Sequence, residues 1–113
     1  MTTKQERIDT EYKRIAPYFD MIQQNKKDVV NGLLYRAAFI RVQLEDYEED
    51  LNNNGYVEQF TQSDKISAYE RTRPAAQLYS TMLKTYQSII RQLVDLLPQE
   101  KVKSAAEEIR EWM

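Results

Sequence analysis

The chain reads as a mainly all-α protein with a small β-hairpin: two long antiparallel helices, shorter helices at both termini, and a tendency to self-associate. Three observations predict this class. Apolar residues recur at steps of three and four through two long stretches, about 28–51 and 75–97. Only 2 glycines and 3 prolines occur in 113 residues, too few for a loop-rich or all-β architecture, while helix-favouring Leu, Ala, Gln, Glu, Lys and Arg abound. Between the two stretches, residues 56–71 lose the helical period and alternate instead.

Residues 1–27 open with an amphipathic helix. Ile8, Tyr12, Ile15, Phe19 and Ile22 fall on one helical face, and Pro17 interrupts them, because proline removes a backbone hydrogen bond and clashes with the preceding turn. A helix near 3–16 with a short helical continuation to about residue 24 is expected. Next, Val30, Leu33, Ala37, Ile40, Leu44, Tyr47 and Leu51 step by three and four through three heptads, which is coiled-coil spacing. A second stripe of Val29, Leu34, Ala38 and Val42, with Phe39 nearby, widens this apolar surface. A helix from about 28 to 51 is roughly 36 Å long, and the NNNG run at 52–55 ends it with residues that tolerate left-handed backbone.

Residues 56–71 read as a β-hairpin with QSDK as its turn, a unit that needs support from helices or a neighbouring subunit. Thr72 is the expected N-cap of the second long helix, and Pro74 lies near its first position, where a missing N–H costs nothing. Ala75, Leu78, Met82, Tyr86, Ile89, Leu93 and Leu96 make one stripe; Tyr79, Leu83, Ile90, Val94 and Leu97 make another beside it. Pro98 ends the helix, since the residue before proline is pushed out of the α region. Residues 99–113 carry a last helix, about 100–112, with Val102, Ala105, Ala106, Ile109 and Trp112 on one side. The organisation is thus a basic helical segment (1–27), a helical-hairpin core with its β insert (28–98) and a C-terminal helix (99–113).

Composition excludes much chemistry. At 113 residues the chain is one domain with a modest core. It has no cysteine and no histidine, so disulfides, thiolate nucleophiles, imidazole bases and the usual zinc ligands are absent. No glycine-rich phosphate loop occurs. The acidic run EDYEED at 45–50 lacks the alternating ligands and central glycine of a calcium loop, and reads as a solvated helix face. No catalytic, cofactor-binding or metal site is expected. Nor does any apolar run approach the roughly 20 residues that cross a bilayer, and MTTKQERIDTEYKR is too charged for a signal peptide. A soluble, intracellular protein is the expectation.

Charge is uneven within a net of −2. Residues 1–27 carry Lys4, Arg7, Lys13, Arg14, Lys26 and Lys27 against four acids, whereas residues 28–60 carry two arginines against seven. The six cations are the candidate phosphate contacts for DNA. Eight tyrosines occur, and helical spacing of Tyr35, Tyr47, Tyr79 and Tyr86 favours packing over base stacking. Double stripes on both long helices leave surplus apolar surface, which points to self-association. Ala38, Val42, Tyr79, Tyr86, Ile90 and Val94 are the candidate subunit contacts.

One set of residues carries a family resemblance. Gly32-Leu33 with Ala37, Ala38 and Phe39, then Leu44, the NNG turn ending at Gly55, a hairpin-like insert, and RPAAQLYSTMLKTYQSIIRQLVDLLP together resemble the small terminase subunits of tailed bacteriophages, most of all the short variety from phages of Gram-positive bacteria. In that family a Ser/Arg-Pro-Ala segment opens a helix with a spaced tyrosine pair and an Ile-x-x-Leu-x-x-Leu-Leu-Pro ending. The matching positions are Pro74, Ala75, Tyr79, Tyr86, Ile90, Leu93, Leu96, Leu97 and Pro98, and the likeness covers roughly residues 28–98. It implies a non-catalytic, ring-forming component that recognises double-stranded viral DNA for packaging, recruits and regulates the large ATPase and nuclease subunit, and works in the cytoplasm of the bacterial host. Many members also carry an N-terminal helix-turn-helix. Residues 1–27 are too short and too interrupted for one, which leaves phosphate contacts as the expected contribution of the basic helix. The alternative is a protein–protein adaptor or structural helical oligomer that does not bind DNA, which the net acidity and the EDYEED face favour.

Overall fold

The computed structural model describes residues 2–22, 24–98 and 107–110. Helix α1 is Lys4–Ile15, α2 is Lys27–Asn54, strands β1 and β2 are Val57–Phe60 and Tyr69–Thr72, and α3 is Pro74–Asp95. The fold is mainly helical with a two-stranded antiparallel sheet, as the periodicities predict.

Local chemistry sets each boundary. Thr3 caps α1, its Oγ1 accepting from the Glu6 amide at 3.1 Å. Pro17 then tightens the chain into a 3-10 turn, Ala16–Phe19, and a second such turn, Gln24–Lys26, leads into α2. The continuation past Pro17 is therefore 3-10 rather than α. Helix α2 runs through all three asparagines and stops at Gly55, whose φ of 81° only glycine adopts readily. At 28 residues it is about 42 Å long, a turn longer than its apolar seam required.

The hairpin is shorter than the alternation suggests. Val57 pairs with Thr72 and Phe60 with Tyr69, so Ile66 and Ala68 lie in the 61–68 connection rather than in a strand. The QSDK segment does turn, with the Ile66 amide donating to the Ser63 carbonyl at 3.2 Å. One face of the hairpin holds itself together. Phe60 meets Tyr69 edge-on at 5.8 Å, Arg71 stacks 3.6 Å over the Phe60 ring, and the same guanidinium donates to Glu58 at 2.7 Å. It has few contacts with the helices, so these cross-strand pairs carry the support expected from the bundle.

Thr72 is not the cap of α3. It closes β2, and Arg73 takes the N-cap position with Pro74 next. Arg73 makes no capping bond; its guanidinium instead donates to the Gly55 carbonyl at 2.6 Å and to both Asp50 oxygens at 3.0 and 3.1 Å. This clamp fixes the end of α2 to the start of α3.

The helices pack antiparallel. Along α3, Arg73, Tyr79 and Tyr86 meet Asp50, Glu48 and Arg41 of α2, so one index rises as the other falls. Along α1, Ile8 packs on Ala38 and Val42 while Tyr12 reaches Asn31, which gives the same sense. Helix α2 is therefore the central member of a three-helix bundle, with α3 and α1 on either side. The molecule extends 63 × 32 × 24 Å.

The main core joins Ile15, Phe19 and Ile22 to Val30, Leu34, Ala37 and Leu44 of α2, and to Tyr86, Ile89, Ile90, Leu93 and Leu97. Each such Leu or Ile contributes about 1.5–3 kcal/mol by burial. Residues 107–110 are helical and Ile109 is buried in this core. Val102, Ala105, Ala106 and Trp112, the rest of the expected C-terminal stripe, lie outside the described residues.

This arrangement corrects the subunit-contact assignment. Ala38 and Val42 are buried by Ile8 and Tyr12 of α1, while Tyr86 and Ile90 are buried where α3 meets α2. A third helix covers the Ala38 and Val42 part of the second α2 stripe while Val29 and Phe39 stay exposed, so burial of Ala38, Val42, Tyr86 and Ile90 requires no second copy. Tyr79 and Val94 are half-buried against the same core.

Candidate nucleic-acid interface and subunit surfaces

The six cations do not form one surface. Lys4 Nζ donates to Gln43 Oε1 at 2.7 Å and pairs with Asp46 at 3.1 Å; Arg7 Nη1 donates to the other Asp46 oxygen at 2.7 Å. Arg7 holds the Asp46 carboxyl below the usual carboxylate range, chiefly through that hydrogen bond. Arg14 forms a fork with Glu11 one turn back, its Nε donating at 3.0 Å. Three of the six cations thus already face carboxylates of the same chain.

Lys13, Lys26 and Lys27 differ. They form no ion pair among the described residues. Lys13 is in the last turn of α1, Lys26 closes the turn before α2, and Lys27 is the first residue of α2, so all three lie toward one end of the bundle. Lys26 borders a cleft of about 260 Å³ with Met21, Asp95 and Pro98. The N-terminus of α2 has no side-chain cap, and the helix dipole adds partial positive charge beside the two lysines. Asp28 is the one acid in that turn.

The acidic run has a role that the sequence reading missed. Asp46 fastens α1 to α2. Asp50 fastens α3, its carboxyl held low first by Asn54, which donates at 2.6 Å, and then by Arg73. Glu48 accepts from Tyr79 Oη at 2.8 Å, and burial together with this bond pushes the Tyr79 hydroxyl up to about 12, so it remains a donor. The signal was the four-residue spacing of Asp46 and Asp50, which puts both on one helix face. The cationic partners, Arg7 and Arg73, are too distant in sequence to be matched from it.

Tyr86 is also unlike an interface tyrosine. It is 1% exposed and lies against Arg41 of α2 inside the core. Burial pushes its pKa up, partly offset by Arg41, whose guanidinium lies 6.0 Å from the ring centroid.

The exposed large apolar side chains lie elsewhere. Val29, Tyr35 and Phe39 lie on the outer face of α2; Tyr56, Val57, Ile66 and Tyr69 lie on and around the hairpin; Leu78 is on α3 and Met21 before α2. Among the described residues there is no group of three or more acids placed to hold a metal ion, and no helix long and apolar enough to cross a membrane.

No protein-family model, curated protein or solved structure matches the chain.

Proposed function

We propose that the chain is a small terminase subunit: a non-catalytic, ring-forming component that contacts double-stranded viral DNA by its phosphates and recruits the large ATPase and nuclease subunit in the host cytoplasm. The residue pattern of 28–98 suggests the family, and one structural observation supports the DNA contact. Lys13, Lys26 and Lys27 gather toward the end of the bundle where an uncapped helix N-terminus also points, a combination that favours an anion. Around a ring the patch repeats, and multivalency raises its affinity without new contacts. Lys4, Arg7 and Arg14 join only if DNA competes with Asp46 and Glu11.

Those same ion pairs favour a second reading, an adaptor that binds only proteins. The two part in a salt series of fluorescence anisotropy on duplex DNA, with light scattering to follow assembly. The packaging reading expects assembled protein whose DNA affinity falls with salt, and a Lys13→Ala/Lys26→Ala/Lys27→Ala variant that loses most of that dependence. No DNA affinity at low salt leaves the adaptor.

A further inference from the structure

Gly32 has no reason within its own chain to be a glycine. It lies inside α2, where glycine disfavours the helix relative to alanine, and its φ is ordinary. A Cβ built there meets only Arg36 Nη1, at 3.4 Å, the far end of a flexible side chain. What surrounds Gly32 is open and apolar. Val29, Tyr35 and Phe39 are 63%, 45% and 41% exposed, and Gly32, Tyr35, Arg36 and Phe39 line a groove of about 520 Å³. With about 3.6 residues per turn, Asp28, Val29, Tyr35, Arg36 and Phe39 all fall within roughly 60° of the Gly32 direction. The stripe is centred on the glycine.

The face is also complementary to itself. Asp28 and Arg36 stand four residues on either side of Gly32, and Val29 and Tyr35 stand three on either side. Neither Asp28 nor Arg36 has an ion pair among the described residues; Arg36 folds back to donate to the Gly32 carbonyl at 3.3 Å. When two such helices cross antiparallel at Gly32, each residue after the glycine faces the one equally far before it on the other copy. Arg36 then meets Asp28 of the second copy, and Tyr35 meets Val29, each twice. The missing side chain lets the two backbones approach at the crossing.

We infer that α2 pairs with α2 of a second copy across a two-fold axis at Gly32. Such an isologous contact closes on itself, so it joins two copies, or two rings, and does not generate a ring. The paired stretch, Asp28 to Phe39, is only about 17 Å long, which makes the pairing weak and concentration-dependent. The inference does not depend on DNA binding. Loss of DNA affinity with the pair intact refutes the packaging role alone, and an unpaired chain that binds DNA refutes the pairing alone.

Sedimentation equilibrium on the full chain tests it, with circular dichroism to monitor the fold. Gly32→Leu is expected to abolish the two-fold step while helicity is kept, because the site is open in the monomer. Asp28→Arg and Arg36→Asp should each weaken pairing by roughly tenfold, and the double exchange should restore it. Because the chain has no cysteine, crosslinking gives an independent readout. A mixture of Asp28→Cys and Arg36→Cys proteins should form the mixed disulfide, while neither alone crosslinks, since like positions lie about 12 Å apart along the pair. A wild-type chain that stays monomeric, assembly indifferent to Gly32→Leu and to the charge exchanges, or homotypic crosslinks in place of mixed ones would overturn the pairing.

Discussion

Asp46→Asn is the substitution that separates folding from the proposed DNA contact most cleanly. Asp46 holds two cations of α1, at 2.7 Å from Arg7 and 3.1 Å from Lys4, and asparagine keeps its shape without its charge. The side chains are 35–46% exposed on the cationic side and 38% on the acidic side, so solvent screens both pairs. The stability cost is accordingly about 0.5–1 kcal/mol for the pair of contacts together. The effect on DNA is expected to be larger and opposite in sign. Each phosphate neutralised on duplex DNA contributes about −0.9 to the slope of log affinity against log salt. With Lys13, Lys26 and Lys27 alone the slope is about −2.7 per protomer, and release of Lys4 and Arg7 takes it to about −4.5. Affinity at low salt should rise accordingly. Anisotropy titrations at four or five salt concentrations measure the slope, and a urea melt measures the stability. An unchanged slope would show that the first half of α1 does not face DNA, and a flatter one would refute the charge argument altogether.

The two glycines should respond in opposite ways to alanine. At Gly55, with φ at 81° and nothing within 4 Å, the cost is purely conformational, about 1–3 kcal/mol, read as a lower urea midpoint at unchanged m-value. At Gly32, with ordinary φ and open space, alanine should raise monomer stability by about 0.5–1 kcal/mol. Acid should loosen the anchor of α1 on α2. Asp46 has a lowered pKa in the folded chain, so its stabilisation is complete above the unfolded value near 3.9 and is lost as pH falls through the folded value. Amide exchange in α1 should therefore be constant from neutral pH to about pH 5 and accelerate below about pH 4, after correction for intrinsic exchange; protection in α1 that persists to pH 2 would sink this account.

Most elements were legible because their causes are local. The seam from Val30 to Leu51 predicts α2, Pro74 and Pro98 bracket α3, and Pro17 breaks the first helix where its ring must. Where a cause was not local the reading slipped. Thr72 has the chemistry of a cap, but strand pairing with Val57 claims it, and Arg73 follows its bonds to Asp50 and Gly55. Likewise EDYEED looks solvated until Arg7, Arg73 and Tyr79 arrive from other helices.

By itself, the sequence determined which faces of the helices are apolar, that Pro17, Gly55 and Pro98 interrupt or end helical runs, and which chemistries the absence of histidine and cysteine removes. Only the tertiary structure decided what covers each face. Ala38 and Val42 went to α1, Tyr86 and Ile90 to the α2–α3 contact, and the Gly32 stripe was left open. The physical reason is that the hydrophobic effect is non-directional: periodicity fixes the surface to be removed from water but carries no label for the surface that removes it.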